Sequence, residues 1–243
     1  MLHLPIAGSS DRIDLAPSKI IALGLNYRSH LAESPSVLAR AAKPGAAPAP
    51  AGAAEPTEPI LFAKTPNVLI GDGDEIVLPE ILASYALPSP RTDYEAELAF
   101  VVAKRCRNVR EEDALSHILG FTCFNDVSQR DIQNSDRSGW FRGKSFDTFG
   151  PIGPVLVPAA ALGDPDRLRI RCRLNGATVQ DANTSDMIFS IPFTLAFISR
   201  NLTLEPGDIV TTGTPAGVGP LKAGDLVEVE IEKIGVLRNR VRN

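Results

Sequence analysis

The sequence predicts an α+β, β-rich domain, and three observations carry that expectation. The chain has 243 residues, enough for one large domain with a substantial core. Short apolar runs recur along it between Gly, Pro and Asn turn residues, whereas only residues 109–120 and 191–201 read as sizeable helices. Residues 93–102 read as a buried strand with two carboxylates on one face, and the other elements can be placed around it.

Side chains alternate along a strand, so Glu95 and Glu97 share a face with Ala99 and Val101, while Tyr94, Ala96, Leu98, Phe100 and Val102 share the other. Both faces are largely apolar, which marks a strand covered on both sides. Two unpaired carboxylates buried there would cost several kcal/mol. Positive charge is therefore expected beside them, either a divalent cation with oxygen ligands or a pair of Arg or Lys side chains. Residues 225–233 are a contrast. Val227, Val229 and Ile231 alternate with Glu228, Glu230 and Glu232, the pattern of a strand with one face in water.

The formal charge of −4 and pI near 5.5 argue against a nucleic-acid surface, since no basic stripe is present. Mean hydropathy is +0.01, and no apolar run is long enough to span a bilayer. The start lacks the charged and apolar segments of a leader, so a cytoplasmic location is the default expectation. Cys106, Cys123 and Cys172 have no metal-type spacing and read as free core thiols.

Residues 19–25 read as a buried strand, followed by the polar cluster Asn26, Arg28, Ser29, His30 and Glu33. If this cluster is helical, His30 and Glu33 lie on one face as a candidate general-base pair; the competing reading is a surface helix start. Residues 34–59 are rich in Ala and Pro and read as a loop, either a lid or an insertion. Residues 1–60 are accordingly expected to form a small N-terminal segment beside a domain of residues 61–243. Residues 60–64 and 75–78 read as strands, and residues 79–92 as a loop. Residues 109–120 have early acids and a terminal Gly, the pattern of a capped helix.

Residues 121–126 are a further buried run ending in the carboxylate of Asp126. Lys144 follows among glycines and aromatics, placed either to neutralise an anionic substrate or to snorkel to the surface. Asn175-Gly176 reads as a hairpin turn, and Ser190 as the cap of the helix at 191–201. Residues 213–219 form a Gly- and Thr-rich loop whose amides and hydroxyls suit an anion, although it lacks the lysine and spacing of a nucleotide-binding P-loop.

Five motifs in this order resemble the fumarylacetoacetate hydrolase family: residues 24–27 with His30 and Glu33, residues 93–98, Asn125-Asp126 with Arg130-Asp131, residues 142–147, and residues 212–219. The resemblance covers about residue 18 to the C-terminus. It implies a mixed β-roll of the family's C-terminal domain type, a homodimer, and Mg2+ or Mn2+ held by Glu95, Glu97 and Asp126. It also implies His30 and Glu33 as a catalytic dyad and Lys144 at the substrate oxygens, with Arg130, Thr214, Tyr27, Arg28 and Gln129 as substrate contacts. The Ala- and Pro-rich insertion and the stretch before Arg91 are longer than the small bacterial pattern.

The implied substrates are small 2-oxo acids, with neither nucleic acid nor membrane as a partner. The leading expectation is a Mg2+-dependent hydrolase cleaving a C–C bond in an acylpyruvate-like or fumarylacetoacetate-like diketo acid. The alternative is a decarboxylase or isomerase of hydroxy-dienedioates or oxaloacetate in aromatic catabolism. A catalytically silent acid-binding or structural subunit is a third class, and the intact set of candidate site residues stands against it.

Overall fold

The computed structural model describes residues 2–33, 55–85, 87, 90–137 and 139–243. Its early strands are β1 (Leu2–Pro5), β2 (Arg12–Leu15), β3 (Ile20–Gly24), β4 (Ile60–Lys64), β5 (Leu69–Ile70) and β6 (Glu75–Val77). The middle strands are β7 (Thr92–Tyr94), β8 (Ala96–Val102), β9 (Ile118–Asn125), β10 (Ser128–Gln129) and β11 (Gly150–Pro158). The last six are β12 (Arg169–Leu174), β13 (Ala177–Asn183), β14 (Ile209–Thr211), β15 (Gly219–Pro220), β16 (Leu226–Ile231) and β17 (Gly235–Arg242).

The strands form a seven-stranded sheet of order β4-β3-β14-β8-β9-β11-β5 and a five-stranded sheet of order β13-β12-β16-β17-β6. A three-stranded sheet, β10-β7-β15, sits by the site, and β1 pairs with β2. Pairing is mixed, since β3 with β14, β5 with β11, and β6 with β17 are parallel and the other pairs antiparallel. This β-rich α+β architecture matches the expected fold class.

Every residue of β8 is buried, as its two apolar faces require. It is central in its sheet, and β12 and β16 of the second sheet pack against it. The core between the sheets includes Leu98, Phe100, Ile170, Cys172, Val229 and Ile231. All three cysteines are free and buried. Burial pushes the Cys106 thiol up to about 11, and burial also raises Cys123 and Cys172.

Local expectations hold at the hairpin and the long helix. Asn175 and Gly176 take φ values of 51° and 83°, the left-handed pair suited to a tight turn between β12 and β13. Ser190 Oγ accepts from the Phe193 amide at 3.3 Å and caps the helix Ile191–Asn201.

Four expectations need correction or limits. Residues 109–120 do not form one α-helix: a 3-10 helix spans Glu111–His117, and β9 begins at Ile118. Gly120 is a point of close strand approach, because a Cβ there would lie 2.5 Å from the Val157 carbonyl oxygen. Residues 79–92 hold a 3-10 helix, Glu80–Ser84, rather than loop alone. The acidic face of β16 is not a freely solvated one, since Arg173 pairs with Glu228 and Glu230, Arg171 with Glu230, and Arg238 with Glu228. Cross-strand arginines on β12 and β17 cover it. Within residues 1–60, β3 lies inside the seven-stranded sheet between β4 and β14, and residues 34–54 of the Ala- and Pro-rich stretch fall outside the described residues.

Candidate active site

The site begins with an interruption. The stretch expected as one strand is divided into β7 and β8, with Glu95 between them. The Glu95 amide donates to Asn125 Oδ1 at 2.9 Å, and the Asp126 amide donates to the Glu95 carbonyl at 2.9 Å. These bonds tie the start of β8 to the end of β9, where Ala96 pairs with Asn125 and Glu97 with Phe124. Asp126, one residue beyond β9, is thereby brought beside Glu95 and Glu97. One carboxylate oxygen from each of the three lies within 4.8 Å of the others, and all three residues are buried.

Cations compensate this charge unevenly. Lys144 Nζ lies 2.7 Å from Glu95 Oε2 and 2.5 Å from Asp126 Oδ2. Lys64 Nζ lies 2.5 Å from Asp126 Oδ1 and donates to the Val127 carbonyl at 3.3 Å. Arg130 pairs with Glu95, reaches Asp93 Oδ2 at 2.7 Å and donates to Gln133 Oε1 at 2.9 Å. Glu97 has no ion pair among the described residues; its Oε2 accepts the Gly213 amide at 2.9 Å.

The titration behaviour follows this distribution. Burial would raise the Glu95 carboxyl, but Arg130 and Lys144 outweigh it and hold the group far below the carboxylate range. Burial, Asp126 and Glu95 together push the Glu97 carboxyl well upward. Burial opposes the charge on Lys144, yet Asp126 and Glu95 raise it above its ordinary value. For Lys64, burial wins over Asp126 and lowers it.

A cavity of about 440 Å³ opens above these groups. It brings together most of the sequence-expected residues: His30, Glu33, Glu95, Glu97, Arg130, Lys144 and Thr214 all line it. Asp126 lies behind the lining and is fully buried. His30 and Glu33 are on the short helix Arg28–Glu33. His30 Nδ1 is buried with no hydrogen-bond partner among the described residues, and burial lowers its pKa despite the nearby Glu95. Glu33 Oε2 accepts the Gly217 amide at 2.8 Å, so the carboxylate sits on the Gly and Thr loop.

Three expected substrate contacts stand outside the lining. Tyr27 is fully buried, bridged to Met187, with burial and Glu97 raising its hydroxyl pKa. Arg28 turns to Glu55 and to the Met187 carbonyl, at 2.7 and 2.9 Å. Gln129 caps the helix Arg130–Ser135 by accepting the Ile132 amide at 2.7 Å, and donates to Asp131.

The structure adds residues that sequence reasoning missed. Lys64 ends β4, and its alternation with Ile60 and Phe62 was the available sign that it points inward. Asp93 shares the Glu95 side of the chain and links Arg91 to Arg130. Trp140 lines the cavity against Phe62, at a ring separation of 5.2 Å. Gly24 makes room for it, because a Cβ there would fall 2.4 Å from the indole ring.

Fold and site together define a β-rich domain whose cavity is lined by Glu95, Glu97 and Lys144, with the third carboxylate of the cluster, Asp126, directly behind them. The family model described as "Fumarylacetoacetate (FAA) hydrolase C-terminal" matches residues 19–242, and the chain belongs to the fumarylacetoacetate hydrolase family. Human "Oxaloacetate tautomerase FAHD2A, mitochondrial" is 39% identical over 252 residues, covering 98% of this chain and 72% of that protein. The crystal structure of 2-hydroxyhepta-2,4-diene-1,7-dioate isomerase from Mycobacterium marinum matches with TM-score 0.75 and 37% identity, covering 94% of this chain and 75% of that one. Fumarylpyruvate hydrolase from Pseudomonas aeruginosa, in complex with Mn2+ and pyruvate, matches with TM-score 0.82 and 28% identity, covering 99% and 95%.

Proposed function

We propose that the chain is a divalent-metal-dependent enzyme that acts on a short 2-oxo acid through its enol, with keto–enol tautomerisation of an oxaloacetate-type acid as the reaction. The observation that carries this reading is the Glu95, Glu97 and Asp126 cluster, of which Glu95 and Glu97 line the cavity, with Lys144 bridging Glu95 and Asp126. The naming of the 39%-identical human relative favours tautomerisation over bond cleavage.

The donor set fits Mg2+ or Mn2+. All three ligands offer oxygen, as hard cations require, and Glu97 is a buried acid without an ion pair among the described residues, whose charge such an ion would balance. When bound, the ion supplies Lewis-acid stabilisation of a developing enolate oxygen.

The chain's own groups do the remaining work. Lys144 stays charged and sets positive potential beside the same oxygen. Arg130 is engaged by Asp93, Glu95 and Gln133, so its part is to hold Glu95 in place while lining the cavity. Thr214 offers its hydroxyl to the substrate carboxylate. His30, kept neutral by burial, accepts the proton from the carbon beside the 2-oxo group at Nε2, since Nδ1 is buried, and delivers it to the 2-oxo oxygen.

C–C hydrolysis of a diketo acid is a second reading, favoured by the presence of both His30 and Glu33 on the cavity wall. It requires Glu33 to leave the Gly217 amide and join His30 in activating water.

The deciding experiment follows metal-free protein, with and without added Mg2+ or Mn2+, against enol-oxaloacetate by ultraviolet absorbance and against acylpyruvates by mass spectrometry. Metal-dependent ketonisation without acylpyruvate cleavage is expected. Pyruvate and a free acid from an acylpyruvate would establish the second reading, and no metal-dependent product from either substrate would defeat both.

A further inference from the structure

Gln180 is buried in β13, and its side chain joins the carboxylate-bearing strand to the Gly and Thr loop. The Ala96 amide, between Glu95 and Glu97, donates to Gln180 Oε1 at 3.0 Å. Gln180 Nε2 donates to Thr214 Oγ1 and to the Pro215 carbonyl, each at 2.9 Å. An amide N–H only donates and a carbonyl only accepts, so these partners fix which end of the Gln180 amide is which.

Both Nε2 protons are therefore used, and one of them goes to the Thr214 hydroxyl oxygen. That oxygen acts as an acceptor toward Gln180, so its own proton must point elsewhere. It meets no acceptor among the described residues, and Thr214 lines the cavity. The loop is seated firmly on β13: Gly217 has φ +95°, and a Cβ there would lie 2.1 Å from the Val179 carbonyl oxygen. The hydroxyl thus has a fixed position, and its proton is confined to the directions that do not face Gln180.

We infer that Gln180 is a positioning residue that presents Thr214 to the cavity as a hydrogen-bond donor for an anionic oxygen of the substrate. This rests on Thr214 being a substrate contact in the function proposed above. Gln180 biases the loop toward a carboxylate oxygen, because it already occupies one acceptor position of the Thr214 hydroxyl and leaves the proton to be donated.

The test is a double-mutant cycle on Mn2+-loaded protein, read as pyruvate affinity by titration calorimetry. In Gln180→Met the Nε2 donors are gone, and nothing on β13 any longer holds the Thr214 hydroxyl oriented toward the cavity. Gln180→Met and Thr214→Val are each expected to weaken pyruvate about fivefold, the scale of one net hydrogen bond. The double variant should be no weaker than Thr214→Val alone, within about twofold. Mn2+ affinity without pyruvate, read by paramagnetic resonance, should stay at the wild-type value in all three, and Thr214→Ser should keep pyruvate affinity.

If Gln180→Met costs the same factor in the Thr214→Val background, Gln180 acts through the fold and the inference is overturned while the Thr214 contact stands. If Thr214→Val or the wild type shows that pyruvate does not use the hydroxyl, the contact and the inference fall together. Gln180→Glu serves where the Met variant does not fold, because it keeps the Ala96 bond and accepts the Thr214 proton; its pyruvate loss must likewise shrink in the Thr214→Val background.

Discussion

Lys64 and Lys144 hold opposite oxygens of one carboxylate: the two Nζ atoms lie 2.5 Å from Asp126 Oδ1 and 2.5 Å from Asp126 Oδ2 respectively. They come from distant parts of the chain, the end of β4 and the single-turn helix Phe141–Lys144. Both are buried, and their titration moves in opposite directions, Lys144 upward and Lys64 downward. The difference follows from partners, because Lys144 bonds both Asp126 and Glu95, whereas among the described residues Lys64 bonds one carboxylate, that of Asp126.

This pairing predicts an unequal effect of Lys64→Met. In the metal-free protein the variant leaves Asp126 buried with half its compensation, and a loss of about 3–5 kcal/mol is expected from urea unfolding. With saturating Mn2+ the added charge replaces the missing lysine, and the loss should be smaller. Equal losses with and without Mn2+ would show that Asp126 does not face the ion.

Glu97→Gln separates metal binding from folding. Glu97 accepts one amide and meets two neighbouring carboxylates, so a neutral isostere removes repulsion without breaking an ion pair among the described residues. Metal-free thermal stability is expected to be unchanged or higher. Mn2+ affinity, measured by titration calorimetry, should fall by at least about a hundredfold, and metal-dependent turnover should be lost with it. Retained Mn2+ affinity would remove Glu97 from the ligand set.

The legible part of this site was the part encoded locally. Glu95 and Glu97 were visible because two acids in a strand apolar on both faces demand compensation, and Asp126 because it ends a buried run. The compensating cation was not equally visible: Lys64 meets Asp126 across 62 residues of sequence, and a lysine at a strand end ordinarily reaches water. Gln180 was silent for the same reason, since its partners lie 84 and 34 residues away. Glu228 and Glu230 misled in the other direction. Their alternation is that of a wet face, and only strand order shows Arg171, Arg173 and Arg238 lying across it. Residues 109–120 misled through composition, because early acids and a final Gly suit a helix start and stop as well as a 3-10 turn leading into β9.

His30 predicts the acid limb of the activity profile. Burial lowers its pKa from the ordinary value near 6.5, so the neutral base persists as pH falls through 6.5 and is lost only below it. The acid limb of kcat/KM is expected to inflect below about 6.5. His30→Gln should lower kcat by about 10²–10⁴-fold while leaving Mn2+ affinity close to wild type. An unchanged kcat in that variant would remove His30 from proton transfer.

Asp208 predicts how the fold itself responds to acid, away from the cavity. Its Oδ1 accepts the Ser18 amide, the Ser18 hydroxyl and the Lys19 amide at 2.9, 2.7 and 3.1 Å. Its Oδ2 lies 2.5 Å from Lys19 Nζ and accepts the Glu205 amide at 2.8 Å. These bonds clamp the entry to β3 against the start of β14, its parallel neighbour. Burial alone would raise this carboxyl, but the Glu205 amide, Lys19 and Ser18 outweigh it and hold the pKa below 3.8. A lowered folded-state pKa contributes stability that is complete above the unfolded value and is lost as pH falls through the folded one. Asp208→Asn should therefore cost about 1–3 kcal/mol at neutral pH, and that gap should close as unfolding is repeated below about pH 4. A gap that stays constant to about pH 3 would show that the clamp works through shape and neutral hydrogen bonds, not through the ionised carboxylate.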